Sequence, residues 1–174
     1  MSQLLSNDTI ALRALEPTDL DTLYRWENDT ALWTVSDTVA PYSRQALWQY
    51  LEQNTGDIYA QRQLRLMITM TKEGTPIGTI DFLNFDPLNN RAELGLFIAD
   101  EWRGKGLGRQ ALELLTAYAR EHIGLRQLYV FIALDNTVCL SMFEDYGFHR
   151  VGILNSWVKR GNTYRDVALL QLIL

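Results

Sequence analysis

Apolar and polar residues alternate through Ile10-Ala11-Leu12-Arg13-Ala14-Leu15, which predicts a half-buried strand over residues 10–15. Pro17 then stands where a first helical turn accepts it, and Leu20, Leu23, Tyr24 and Glu27 follow at helical spacing. A second helix is predicted over residues 43–53, with Ser43 as its cap. Residues 64–71 and 76–85 read as two strands joined by Lys72-Glu73-Gly74-Thr75, where Gly74 can take positive φ. After the turn at residues 86–90, residues 91–98 form a third strand of this meander. A long helix over residues 106–122 carries Leu107, Ala111, Leu114, Leu115 and Tyr118 on one face and stops at Gly124. Next come a strand at 128–134, a short helix at 138–146 ended by Gly147, and strands at 148–153 and 164–174 around the turn at 159–162. The pattern is mixed α/β, an antiparallel meander first and helices interleaved later. Its 174 residues suit a single domain, 1–174, with no repeat or linker.

Composition narrows the function classes. The chain is 47% hydrophobic and 21% charged, so it is expected to fold and not to be disordered. A formal net charge of −5 argues against a general nucleic-acid binder and fits a cationic small partner. Cys139 is the one cysteine, and His122 and His149 stand in unrelated settings, so neither a disulfide nor a metal site is expected. The first eight residues are polar, and no apolar run approaches the roughly 18 residues of a membrane span. A soluble, cytoplasmic protein is the expectation.

The most informative stretch is Asp100-Glu101-Trp102-Arg103-Gly104-Lys105-Gly106-Leu107-Gly108-Arg109, between a strand and the long helix. Glycines at 104, 106 and 108 leave backbone N–H groups uncovered, and the helix start adds its positive dipole end. Arg103, Lys105 and Arg109 place positive charge there in an otherwise acidic chain, so a diphosphate is the natural guest. A P-loop is ruled out because Gly106, not Ser or Thr, follows Lys105. A dinucleotide fingerprint counted from Gly104 would need glycine where Arg109 stands. The remaining alternative is a glycine-rich turn that merely starts a helix.

Arg103-x-x-Gly106-x-Gly108 resembles the acyl-CoA pyrophosphate loop of the GNAT superfamily, Gln/Arg-x-x-Gly-x-Gly/Ala. Glu93-Leu94-Gly95-Leu96-Phe97-Ile98 is similar to the strand before that loop, and Asn136 with Tyr146-Gly147-Phe148 to the next CoA-contacting segment. The order agrees over residues 91–150, and both ends of the chain resemble the branch of spermidine and ribosomal-protein acetyltransferases. The resemblance implies a twisted, mostly antiparallel sheet, flanked by helices and splayed between the strands at 91–98 and 128–134 to admit acetyl-CoA. It implies that the backbone around Leu96, Phe97 and Ile98 pairs with the pantetheine arm like an added strand. Residues 103–109, including Leu107, would hold the diphosphate, with Asn136 and Phe143 also against the cofactor.

Acetyl transfer to an amine sets its own requirements. An alkylammonium has a pKa of about 10.4, so only about one in a thousand is neutral near neutral pH, and a base is needed. Glu93, on the strand bordering the cleft, is the candidate base through a water; a solvated or paired strand carboxylate is its bland alternative. Asp81 is a second candidate, with a structural hydrogen bond as the expected role. The acid departs from the family pattern. The position seven residues after Asn136, often tyrosine, is Phe143, and the position of an alternative serine is Cys139. Cys139 and Tyr146 are the two candidate donors, unless both simply pack in the core and the thiolate leaves unaided.

Acceptor specificity is assigned to the amino-terminal helices and the last hairpin, which carry Trp26, Glu27, Asp29, Trp33, Asp37, Tyr42, Trp48, Trp157 and Tyr164. Trp26, Glu27 and Trp33 are the candidate acceptor contacts. Aromatic faces beside carboxylates suit a polyamine, and core packing is the alternative for the tryptophans. The resemblance implies a polyamine or a protein amino terminus as acceptor, and homo-oligomers among relatives. A catalytically weak acyl-CoA-binding module is the reading from a different class.

Overall fold

The computed structural model describes residues 3–36 and 38–174. Its strands are β1 (Ile10–Ala14), β2 (Leu64–Met70), β3 (Pro76–Asp86), β4 (Arg91–Ile98), β5 (Gln127–Ala133), β6 (His149–Arg160) and β7 (Thr163–Ile173). They form one sheet in the order β1-β2-β3-β4-β5-β7-β6. The helices are α1 (Leu20–Glu27), α2 (Trp33–Ser36), α3 (Arg44–Gln53), α4 (Ile58–Gln61), α5 (Leu107–Tyr118) and α6 (Thr137–Tyr146). Neighbouring strands pair antiparallel except β4 and β5, which are parallel. The mixed α/β architecture is the one the hydrophobic pattern implies.

Strand alternation divides the core into two. Leu66, Ile68, Ile80, Phe82, Ala92, Leu94, Leu128 and Val130 point to one face, where Leu107, Ala111, Leu112 and Leu115 of α5 and Leu140 and Phe143 of α6 cover them. The odd-numbered neighbours face the other way. There Met67 packs with Leu23 and Trp26 of α1, and Phe97 lies against them. This second face also carries the buried polar residues Thr79 and Asp81.

Local rules explain most element ends. Ser43 Oγ accepts the Ala46 N–H at 3.0 Å and caps α3. Gly124, at φ +77°, closes the helical run that begins with α5. Three expectations needed correction. The long helix is regular only to Tyr118 and continues through Ala119–Ile123 as a wider π-helical turn. β6 runs to Arg160 because a bulge carries it past Asn155: Ser156 takes φ +50° and its N–H donates to Asp166 Oδ1 at 2.8 Å. Two single-turn helices, α2 and α4, interrupt stretches that carry no periodic signal.

Candidate active site

The sheet opens in its middle. β4 and β5 pair only through Arg91, Ala92 and Glu93, opposite Gln127, Leu128 and Tyr129. Beyond Glu93, β4 stays in register with β3 as far as Gly78↔Ile98, while its other edge has no strand partner among the described residues. A free strand edge is a row of N–H and C=O groups that an extended ligand can complete. Leu96, Phe97 and Ile98 all lie on this segment. One carbonyl is engaged from within the protein: Arg103 Nε donates to Ile98 O at 2.8 Å.

At the end of this edge a short 3-10 turn, Asp100–Trp102, leads into the glycine loop. Gly104 and Gly106 have φ of +73° and +72°, and a Cβ at either would meet nothing within 4 Å beyond its chain neighbours. Backbone conformation demands glycine there, and the space beside the loop is open. Gly106 is the N-cap of α5 and supplies no side-chain acceptor, so the first-turn N–H groups of the helix are left for a ligand. Gly108 differs. Its φ is ordinary, and a Cβ would rest 3.5–3.6 Å from Met142, Ile98 and Leu96, against the protein.

The three loop cations are exposed, and their ion pairs and hydrogen bonds are local. Arg103 pairs with Asp100 (2.7 Å), Lys105 donates to Glu101 O (2.8 Å) and lies 4.7 Å from the Trp102 ring, and Arg109 pairs with Glu113 (3.2 Å). Exposed pairs of this kind are weak in water, so an incoming diphosphate can exchange for them. Asn136 caps α6 through Oδ1, which accepts the Cys139 N–H at 3.3 Å.

Glu93 sits at the fork where the strands part. Its Oε2 accepts from Asn84 Nδ2 at 2.7 Å, and Asn84 holds φ +48° where the β3–β4 register shifts. Across the fork, burial raises the Tyr129 phenol above its ordinary pKa, and the Glu93 charge adds to that. Deeper on the same face Arg65 donates to Asp81 Oδ1 through Nε (2.6 Å) and to Glu27 Oε1 through Nη1 (2.9 Å). Burial disfavours the Arg65 charge, yet Asp81, Tyr50 and Glu27 together hold its pKa above the usual value. Burial likewise pushes the Asp81 carboxyl up, opposed by Arg65. Asp81 thus has the structural bond expected of it. A cavity of about 260 Å³ lies beside Arg65, lined also by Tyr50, Gln53, Asn54, Gln61 and Gln63.

Several expected contacts take other roles. Phe143 is 1% exposed and packs edge-on against Phe148 at 5.0 Å, so its ring belongs to the core and offers no surface to a cofactor. Trp26 is also buried, edge-on to Phe97 at 5.2 Å, which is the packing alternative and not an open aromatic face. Glu27 is drawn into the Arg65 pair. Trp33 Nε1 donates to Glu27 O at 2.9 Å and so braces the end of α1. Asp29 accepts from the Ala31 N–H at 2.9 Å in a local turn, and Asp37 lies outside the described residues. Tyr42, Trp48, Trp157 and Tyr164 remain exposed. Burial pushes the half-buried Cys139 thiol up to about 11. Tyr146 packs on Phe148, with the Arg109 guanidinium 5.8 Å from its ring. Sequence reasoning passed over Arg65 and Asn84; the visible signal for Arg65 was a charge set between Leu64 and Leu66 in a strand.

The family profile described as "Acetyltransferase (GNAT) domain" matches residues 9–149, from just before β1 to the first residue of β6. The chain belongs to the GNAT acetyltransferase family. It is an acetyl-CoA-dependent enzyme that transfers acetyl to amines. A putative ribosomal N-acetyltransferase of Bacillus subtilis is 26% identical over 96% of this chain and 92% of its own length. The GNAT fold is shared with the spermidine N-acetyltransferase of Vibrio cholerae solved with CoA and spermine: TM-score 0.87, 22% identity, 96% of each chain covered. A dodecameric structure of the Vibrio cholerae enzyme superposes with a TM-score of 0.79 at 22% identity, covering 96% of this chain and 95% of that one. Among the described residues, no helix is long and apolar enough to cross a membrane.

Proposed function

We propose that this GNAT enzyme acetylates a primary amine of a polyamine, by direct attack within a ternary complex. The observation that carries the reading is the fork at Glu93: a carboxylate stands where a free strand edge begins, and the edge ends at a capless helix N-terminus. In the proposed complex the pantetheine arm runs along residues 96–98 and the diphosphate lies over residues 103–109, with Asn136 beside the cofactor. Glu93 takes a proton from the acceptor ammonium through a water. The free amine nitrogen then attacks the thioester carbonyl carbon; the C–N bond forms, the C–S bond breaks, CoA leaves as its thiolate, and the acylated nitrogen, now positively charged, gives its second proton to water. A thiol of ordinary pKa, about 8.5, makes a competent leaving group. Cys139, pushed up to about 11, is a weaker acid than the thiol it would protonate. Tyr146 lies beside Arg109 on the phosphate side. The thiolate therefore takes its proton from solvent.

A polyamine is favoured by charge. Among the described residues Asp81 and Glu27 share one guanidinium, that of Arg65, so the three groups carry one net negative charge once both carboxylates are ionised. A protein amino terminus is the second reading, favoured by the amide-lined cavity, since Gln53, Asn54, Gln61 and Gln63 offer donors and acceptors suited to peptide groups. Thiol release from acetyl-CoA with spermidine, spermine, putrescine and amino-terminal peptides tests both. Release with peptides and none with polyamines would sink the first reading. Val151, Ile153 and Trp157, exposed along the outer strand β6, suit contact with a second copy of the chain; light scattering of the purified protein tests that.

A further inference from the structure

The two strands that part at Glu93 present unlike banks. On β5 the even-numbered Leu128, Val130 and Ile132 are buried in the core that α5 and α6 cover. Tyr129 and Phe131 point to the opposite face, which is the face of Glu93, because Glu93 and Tyr129 are register partners. Their rings meet edge-on, with centroids 5.8 Å apart and planes at 85°. Neither ring belongs to either of the two packed cores. Phe131 is 38% exposed although its strand lies inside a seven-stranded sheet. Two adjoining rings beside a carboxylate are more than a scattered apolar residue, and such surface marks a contact site.

Their place in the sheet says what they would contact. Had β4 and β5 stayed paired, Phe131 would stand opposite Gly95; instead the strands pair no further than Glu93 and Tyr129, and the rings line the far bank of the opening. The near bank carries Glu93, whose Oε2 is held by Asn84 at 2.7 Å. The Tyr129 phenol is held above its ordinary pKa first by burial and then by the Glu93 charge, so ring and carboxylate lie within electrostatic reach of each other. The face of an aromatic ring attracts a cation, and most strongly one that is poorly hydrated. A carboxylate on one bank and two rings on the other select an organic cation over a neutral or anionic group. Among the described residues, the cations that lie over rings are Arg44 on Tyr24, Arg65 on Tyr50, Lys105 on Trp102 and Arg109 on Tyr146. Arg91, the cation near Tyr129, is paired with Asp86 at 3.1 Å. The position over Tyr129 and Phe131 is left for a cation that arrives with the substrate.

We propose that Tyr129 and Phe131 form the aromatic half of the acceptor's ammonium subsite, facing Glu93 across the opening of the sheet. This rests on the reading of the fork as the place of acetyl transfer, and it moves part of acceptor selection from the amino-terminal helices to β5. The rings hold the ammonium by cation–π attraction until Glu93 draws its proton away through water. The neutral amine, which the rings attract less, is then released to attack.

The test is steady-state kinetics of Phe131→Leu, with acetyl-CoA and spermidine or whichever amine the wild type accepts best. Leucine keeps apolar bulk and removes the π face. KM for the amine should rise by about threefold to tenfold, with KM for acetyl-CoA and Tm unchanged. Phe131→Trp, which offers a stronger π face, should bring KM for the amine back to the wild-type value or below it. Tetramethylammonium has no N–H proton to lose and cannot be acetylated. It should compete with the amine in the wild type and inhibit Phe131→Leu several times more weakly. An unchanged KM for the amine, with equal inhibition of both proteins, would overturn the subsite. A raised KM for acetyl-CoA in place of the amine would assign Phe131 to the pantetheine arm. A changed mass in light scattering with both KM values unaltered would assign it to a contact between copies of the chain. Either result overturns the proposal. Wild-type enzyme that releases no thiol with any amine would overturn the transfer reading, and the subsite with it, whereas an active wild type with an unresponsive variant overturns the subsite alone.

Discussion

Glu93 on β4 stands opposite Tyr129 on β5, and this is the last register pair before the two strands part. On its other side Glu93 is tied to Asn84 by a 2.7 Å hydrogen bond. The carboxylate is thus held at the fork from the β3 side and left open toward the cleft. Its replacement by Gln keeps the size and the hydrogen-bonding capacity but removes the base. In Glu93→Gln, kcat should fall by about 10²-fold or more, and the acid-side limb of the kcat/KM profile should flatten. A full pH profile against spermidine checks this; an unchanged acid limb removes Glu93 from the mechanism.

The loop glycines are expected to differ from one another. Gly106 holds φ +72° with open space around it. Gly106→Ala should therefore cost about 1 kcal/mol of backbone strain and raise KM for acetyl-CoA, because the strain falls on the anion-binding turn. Gly108→Ala should leave KM for acetyl-CoA unchanged and raise Tm slightly, since its methyl would meet Met142, Ile98 and Leu96 at ordinary contact distance. Thermal melts with and without CoA, beside acetyl-CoA titrations, separate the two. Equal effects at both positions would contradict the assignment.

These differences indicate what a linear sequence can carry. Gly104, Gly106 and their neighbouring cations announce a phosphate loop because charge, backbone freedom and helix start are contiguous in the chain. The Ser43 and Asn136 caps are local for the same reason. The Arg65 cluster is not: it joins Glu27, Arg65 and Asp81 from one helix and two strands, and only the β2–β3 register brings them together. Trp26 and Phe143 are ambiguous in the sequence for a related reason, since aromatic residues signal burial and binding alike, and only the fold shows their packing against Phe97 and Phe148. The β6 bulge depends on Asp166, ten residues away on the partner strand.

The position of Phe143 invites restoration of a tyrosine, and the core argues against it. Phe143 is 1% exposed and packed against Phe148. Phe143→Tyr would bury a hydroxyl without a partner, at about 1–3 kcal/mol. Tm should drop and kcat should not rise. Tyr146→Phe, in contrast, should change kcat by less than about twofold if solvent protonates the thiolate. A large loss of kcat in Tyr146→Phe, with normal KM values, would make Tyr146 the acid.

Cys139 offers a check by pH. Burial favours the neutral thiol over the thiolate, so the pKa moves up, to about 11. At pH 8 only about one thiol in a thousand would be ionised, against roughly one in four at an ordinary pKa of 8.5. Because the thiolate is the nucleophile, iodoacetamide should react with the folded protein far more slowly than with the same chain in denaturant. Its rate should keep climbing beyond pH 9, where that of an ordinary thiol levels off. Cys139→Ala should accordingly leave kcat and its pH profile unchanged. Rapid alkylation near pH 8, blocked by CoA, would instead place an ionisable thiol in the cleft and return Cys139 to the mechanism.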